Sequence, residues 1–352
     1  MASSQGGLID KPLLAVLRGE RRDPSPAWMM RQAGRYLPEY RALRADKGGF
    51  LDLVYDPACA AEITLQPLRR FALDGAILFS DILIVPFALG QNLTFVAGEG
   101  PRLSPPLKGA ALEDLQPHLG RLEPIYETVR QVKAALAPQT TFLGFAGAPW
   151  TVATYMVAGE GSREQADARL LAYQDPGRFA AIIDAIEETT LIYLIGQADA
   201  GVDAVQIFDS WSGSLAPAEF ERWVIAPTAR LVARLKAKRP GLPVIGFPKG
   251  AGGKLAAYAR ETGVDALGLD ETVDAAWAHA SLPPGLPVQG NLDPLALITG
   301  GEALETAVAR IRSALHDRPH VFNLGHGIQQ TTPIAHVERL MELLGKAPGG
   351  VL

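Results

Sequence analysis

Four arginines crowd one short stretch of this chain. The segment "MRQAGRYLPEYRALR" at 30–44 holds Arg31, Arg35, Arg41 and Arg44 among glycine, proline and tyrosine. From Arg18 to Lys47 eight basic residues face four acidic ones, in a chain of formal net charge −5. A guanidinium presents a planar fork of donors that matches a carboxylate or a phosphate. Such a cluster points to a polyanionic ligand if it lines a cleft, and to a solvated surface face if it does not. At about 4 Å one arginine–carboxylate contact gains about 1 kcal/mol in bulk water but about 4 kcal/mol at an effective dielectric of 20. Asp81 is the second candidate, set in "ILFSDILIVPF" with apolar residues on both sides. A carboxylate in such surroundings must be paired or hydrogen-bonded, or its pKa climbs. Two readings stand: a structural carboxylate that caps backbone donors or pairs with an arginine, or an acceptor aimed into a pocket. His326 is the third candidate, placed between two glycines in "FNLGHGI".

The elements that would position these residues alternate along the chain. Strand-like apolar runs are expected at 27–32, 76–81, 141–147, 204–210, 243–247, 266–270, 287–291 and 320–324. Most are continuously apolar, as strands covered on both faces are. Helical patterns lie between them. One opens with Asp56 as N-cap and Pro57 at the first helical position, another with Asp175 and Pro176, whose Phe179, Ile182, Ile183 and Ile186 form one apolar stripe. Eight strands in alternation with helices, with no linker or short repeat, predict an α/β fold with a single (β/α)8 TIM barrel spanning 1–352. An open doubly wound sheet is the alternative. Residues 1–10 are expected to be a flexible N-terminal segment. In a barrel the chemistry sits at the C-terminal ends of the strands. The expected strands end in Arg31-Gln32, Ser80-Asp81, Asp209-Ser210, Asp270 and Asn291, and the last runs into His326.

Composition narrows the class. Hydrophobic residues make up 48% and charged residues 20%, ordinary for a soluble globular chain. The single cysteine, Cys59, permits no intrachain disulfide and fits a reducing compartment. The N-terminal "MASSQGGLIDKP" lacks an apolar core, and the longest apolar run, 75–90, is too short for a bilayer and is interrupted by Asp81 and Pro86. A cytoplasmic protein is expected, with no membrane partner. The absence of a long basic stripe argues against nucleic acid. "GFPKGAGGKL" fails as a phosphate loop because Leu255 follows Lys254 and Pro248 stands at the first glycine position. There is no dinucleotide glycine fingerprint after the first strand, no H-E-x-x-H pair and no G-x-S-x-G elbow. The chemistry expected is free of metal and nucleotide, run by placed charge and proton transfer.

The segments "PAWMMRQAGRYLPEYR" (26–41) and "GFAGAPWTVATYMVAG" (144–159) resemble the two signatures of the uroporphyrinogen decarboxylase family. So do "LQPLRRFALDGAILFSDILIVPFALG" (65–90), "AVQIFDSWSG" (204–213), "QGNLDP" (289–294) and "FNLGHGI" (322–328). The resemblance covers nearly the whole chain. It implies a (β/α)8 barrel, a homodimer, no cofactor, and removal of CO2 from the four acetate arms of uroporphyrinogen to give coproporphyrinogen in haem synthesis. Uroporphyrinogen carries eight carboxylates, which answers to the arginine cluster. By resemblance Arg31, Arg35 and Arg44 bind or orient carboxylates, and the backbone of Gln32, Ala33 and Gly34 belongs to the same segment. Asp81 matches the central aspartate, an acceptor for the pyrrole N–H groups, and Asp81 and Arg31 are the residues expected to act in catalysis. Tyr155 and His326 fall on carboxylate-contacting positions, Ser210 on one where a hydroxyl is expected, and Phe208 on an apolar wall against a pyrrole. Arg41, between Arg35 and Arg44, is expected to be a surface or structural residue. Glu271 stands where many relatives carry tryptophan, and Gln329-Gln330 where proline-containing variants are familiar. Two rival readings are a barrel methyltransferase relative, linked to zinc or corrinoid, and a tetrapyrrole-binding protein without chemistry.

Overall fold

The computed structural model describes residues 10–96, 100–162 and 164–352. Most of the segment expected to be flexible, residues 1–9, lies outside the described residues. Seven strands pair in parallel: β1 (Gly75–Ile77), β4 (Thr141–Gly147), β5 (Ala204–Asp209), β6 (Val244–Pro248), β7 (Ala266–Gly268), β8 (Val288–Leu292) and β9 (His320–Leu324). They follow one another in space in that order, each joined to the next through helix, as parallel neighbours require. Every residue of these strands is buried except Phe208, which is half-buried.

The ring is closed by the stretch expected to form the first strand. Ala27 pairs in parallel with Phe322 of β9, and the Phe322 N–H donates to the Pro26 carbonyl at 2.8 Å. On its other side the Ala27 carbonyl accepts from the Asp74 N–H at 2.9 Å, immediately before β1. The eighth stave is therefore a single bridge rather than a strand over 27–32, because the chain turns out of the sheet: Arg31 has φ 59°. Likewise β1 ends at Ile77, four residues short of the expected limit, and β7 ends at Gly268, since the residues that follow turn toward the barrel mouth to serve side-chain contacts. The interior confirms closure. Gln289 of β8 donates to Gln206 of β5 at 2.9 Å across two intervening strands, and accepts from the Trp28 indole at 2.8 Å. Side chains from three sides meet in the middle, as in a filled (β/α)8 barrel.

The outer helices start where the sequence marks them. Asp56 accepts from the Cys59 N–H at 3.1 Å to open Pro57–Arg70, and Asp175 accepts from Arg178 at 3.0 Å to open Pro176–Ala200. Phe179, Ile182, Ile183 and Ile186 of the latter are all buried. The ring's opposite end is tied by ions: Asp203, before β5, binds Lys11 at 2.6 Å and Lys133 at 2.9 Å, while Lys346 reaches Asp74 at 2.6 Å. One element had no sequence expectation, the antiparallel hairpin of β2 (Asn92–Val96) and β3 (Gly100–Ser104). Its strands are five residues long and partly exposed, too short for the apolar runs that mark buried strands. Among the described residues no helix is long and apolar enough to cross a membrane.

Candidate active site

The arginine segment leaves the barrel at its C-terminal mouth and is fastened there from below. The Met30 N–H donates to the Asn323 side chain at 2.9 Å, and the Ile328 N–H donates to the Met30 carbonyl at 2.9 Å. Gln32 is fully buried; its amide donates to the Gly75 carbonyl at 3.0 Å and accepts from the Met29 N–H at 3.1 Å. Its own N–H donates to the Met29 carbonyl at 3.0 Å. Gln32 therefore builds the turn. Ala33 and Gly34 follow, half-buried, with N–H groups that have no backbone partner among the described residues.

The arginines divide by partner. Arg41 donates to the carbonyls of Arg35 at 2.8 Å and Tyr36 at 3.1 Å, a structural role. Arg44, in the helix Pro38–Lys47, has a long contact of 3.5 Å to the Tyr40 hydroxyl. The guanidiniums of Arg31 and Arg35 have no hydrogen bond or ion pair among the described residues. The acid in their own segment, Glu39, is taken by Arg70 through two contacts of 2.5 and 2.8 Å. The two guanidiniums are thus exposed at the mouth with their charge uncommitted.

Arg31 is the electrostatic centre. Its charge is felt by Asp81, Tyr155 and His326, so these four converge at one place. Arg31 adopts left-handed backbone, which costs a non-glycine residue about 1–2 kcal/mol and recurs where a side chain is forced into a functional direction. Asp81 lies in the loop after β1 and accepts from the Leu83 N–H at 2.8 Å, which fixes one oxygen. Burial pushes its carboxyl up to about 6, against the pull of that N–H and of Arg31. The residue retains some solvent contact, and its second oxygen has no hydrogen-bond partner among the described residues. At neutral pH it is an anion with unused accepting capacity.

His326 is half-buried in the loop after β9, next to Gly327, against which the Arg31 side chain lies. Burial, then the charges of Arg31 and Lys249, drive its imidazole down to about 4, with Asp270 opposing. It is neutral at pH 7, a hydrogen-bonding group rather than a proton source. The glycines that flank it are demanded by space. A Cβ on Gly327 would stand 2.4 Å from Cδ of Arg31, and one on Gly325 would stand 2.2 Å from the Glu271 nitrogen. Gly327→Ala should displace the Arg31 side chain and lower kcat/KM by about 10- to 100-fold, read by steady-state kinetics beside an unchanged melting temperature.

Tyr155 lies on the helix Pro149–Ala158 after β4, half-buried, with its hydroxyl pushed up by burial and its ring 6.4 Å from that of Trp211. Phe208 packs edge-on against Phe145 at 5.5 Å and Phe247 at 5.9 Å, yet stays partly open. Ser210 follows β5, half-buried. Arg31, Asp81, Tyr155 and His326 are thus drawn together, with Phe208 and Ser210 at the end of a neighbouring stave and Arg35 and Arg44 on the loop and helix that continue from Arg31.

Sequence reading marked Asp209 only as a strand end and gave no role to Trp211 or Lys249. Asp209 is wholly buried, accepts from the Thr151 hydroxyl, and keeps a second oxygen without a partner; burial pushes it up to about 7. Thr151 in turn accepts from the Trp211 N–H at 3.0 Å, so Asp209 braces the loop that bears Ser210 and Trp211. Because the folded state holds this proton where the unfolded chain has released it, wild-type stability is expected to fall as pH rises from about 4 to about 7. Asp209→Asn removes that titration. Its stability relative to wild type should therefore climb over the same interval and level above pH 7 in urea unfolding; a constant difference would contradict the assignment.

Among the described residues no three or more His, Cys, Asp or Glu gather as metal ligands, and Cys59 is buried at the start of its helix. The sequence matches the family described as Uroporphyrinogen decarboxylase (URO-D) over residues 9–346. It is 74% identical over 331 residues to "Uroporphyrinogen decarboxylase" of Rhizorhabdus wittichii, covering 94% of this chain and 96% of that one. It is 68% identical over 332 residues to the protein of the same description from Sphingopyxis alaskensis, covering 94% and 97%. Among solved structures, a methyltransferase from Methanosarcina mazei superposes with a TM-score of 0.77 at 17% identity, covering 96% of this chain and 98% of that one, which shows a shared barrel and nothing of the chemistry. By the family match and these identities, the chain belongs to the uroporphyrinogen decarboxylase family.

Proposed function

We propose that this protein is a carboxy-lyase that converts the four acetate arms of uroporphyrinogen to methyl groups, giving coproporphyrinogen and CO2 in haem synthesis. The observation that carries the reading is a half-open anion, Asp81, beneath a mouth where Arg31 and Arg35 are uncommitted. A flexible macrocycle with carboxylates on its rim and four N–H groups at its centre is complementary to that pattern.

The chemistry follows from the charges. A proton added to a pyrrole ring carbon makes the ring cationic. The bond between the acetate methylene and its carboxylate then breaks, CO2 leaves, and the electron pair enters the ring. Protonation of the exocyclic methylene and loss of the ring proton leave a methyl group. The anion at Asp81 accepts the pyrrole N–H groups and grows more favourable as the ring becomes cationic, so it binds the transition state more tightly than the ground state. Arg31 orients the reacting acetate, with Arg35 and Arg44 holding other carboxylates. The N–H groups of Ala33 and Gly34 add donors on a turn built by Gln32. Tyr155, Ser210 and neutral His326 position carboxylates by hydrogen bonds, and Phe208 walls a pyrrole. The reading requires no cofactor. It treats the chain as one barrel domain in the cytoplasm, in keeping with its lone cysteine, and as a homodimer that light scattering would register at twice the chain mass.

Anaerobic incubation with uroporphyrinogen, followed by oxidation and chromatography, tests the function. Seven-, six-, five- and four-carboxylate products should appear in succession; persistence of the eight-carboxylate species alone would overturn it.

A further inference from the structure

A second cation stands just beyond the end of β6, four staves round the ring from the one that bears Arg31. Lys249 is the first residue after β6, and its backbone is clamped on both sides: its N–H donates to the Asp209 carbonyl at 3.0 Å, and its carbonyl accepts from Gly213 N–H at 3.1 Å and Ser212 Oγ at 3.0 Å. Its ammonium has no hydrogen bond among the described residues and stands 3.7 Å from Oε1 of Glu271, too far for one. Lys254, five positions on, shows the contrast, with contacts of 2.7 Å to the Leu215 carbonyl and 3.3 Å to that of Gly213. The other oxygen of Glu271, Oε2, is buried and has no partner. Both side chains of the pair are partly open, 29% for Lys249 and 25% for Glu271. Glu271 packs against Gly325, next to His326, and the Lys249 charge reaches His326 as that of Arg31 does. Lys249 and Arg31 therefore flank one imidazole at one mouth.

We propose that Lys249 is a further carboxylate anchor for the substrate, and that Glu271 is its resident counter-ion, displaced when a substrate carboxylate arrives. The inference rests on the decarboxylase reading and adds a specificity device to it. An ammonium held loosely, at more than hydrogen-bond distance, is available to a better-placed carboxylate. Glu271 competes with every ligand for that ammonium. An eight-carboxylate substrate offers many carboxylates to the exchange; the four-carboxylate product offers fewer and yields the lysine back to Glu271. The pair thereby favours substrate over product at the same mouth.

The two partners then have opposite signs, which a mere structural ion pair would not give. Lys249→Met should raise KM for uroporphyrinogen about tenfold, as loss of one charge-assisted contact does, with the loss in KM rather than kcat. Inhibition by added coproporphyrinogen should change much less. Glu271→Gln should lower KM and tighten coproporphyrinogen inhibition about threefold or more, because the ammonium is no longer contested. Both are read in anaerobic steady-state assays at fixed ionic strength, with melting temperatures recorded for each variant. Shifts of both variants in the same direction, or values of KM and product inhibition within twofold of wild type, would overturn the proposal while wild-type turnover stands. Absence of turnover in the wild-type protein would instead overturn the decarboxylase reading beneath it.

Discussion

Asp81→Asn is expected to lower kcat by about 100- to 1,000-fold, the range found when one preorganised electrostatic contact to a developing charge is removed. The substitution is nearly isosteric, and an asparagine oxygen can still accept from the Leu83 N–H, so the loop should keep its shape. What changes is the oxygen without a partner: the charge is gone, and an amide N–H2 can point at groups that are themselves donors. A cationic ring then forms without its counter-charge. The pH profile carries the same signature with a defined sign. The wild-type carboxyl titrates at about 6, and only its anion serves, so kcat/KM should rise through pH 6 and level above it. Once substrate is bound, its developing positive charge favours the anion, and the limb in kcat should lie at lower pH. In Asp81→Asn the residual rate should lose that limb.

Arg31→Ala has the second largest expected effect, a fall in kcat/KM of about 30- to 150-fold, corresponding to about 2–3 kcal/mol for a charge-assisted contact at a partly dry site. Two neighbours should respond. With the guanidinium gone, Asp81 loses a stabilising cation and should titrate higher, while His326 loses a repelling one and should titrate nearer its ordinary value. Arg31→Lys should recover only part of the activity, because an ammonium keeps the charge but lacks the planar fork. Steady-state kinetics of both variants, with NMR titration of His326, check these outcomes. A kcat/KM within threefold of wild type in Arg31→Ala would contradict its place at the centre of the site.

The barrel was legible because its strands are covered on both faces. The run 141–147, apolar but for Thr141, became a strand over those same residues, and 320–324 did so although His320 and Asn323 interrupt it. Strand ends were illegible where the chain leaves the sheet to build the mouth. Nothing in the local pattern of "AWMMRQ" announces that Arg31 turns into left-handed backbone, since that conformation is imposed by Asn323 and Ile328, some 300 residues away. The same holds for partners. Sequence shows four arginines in a row of turns, but only the fold shows that Arg70 removes Glu39 from them and that Arg41 turns back on its own backbone. Lys249 sat within a segment weighed only as a phosphate loop. Its position as the first residue beyond β6 was the available signal, since that is where a barrel keeps its chemistry. Asp209 gave no signal beyond its place at a strand end, because its burial comes from the helix that bears Thr151.

The central claim is that one fixed anion beneath the macrocycle holds its N–H groups while guanidiniums hold its rim. A crystal structure of the protein with coproporphyrinogen bound under anaerobic conditions tests it most directly. The free oxygen of Asp81 should lie within about 3.2 Å of pyrrole nitrogens, with Arg31 and Arg35 on peripheral carboxylates. A macrocycle bound elsewhere in the mouth, or Asp81 closed onto Arg31 with no pyrrole nitrogen in reach, would contradict the account.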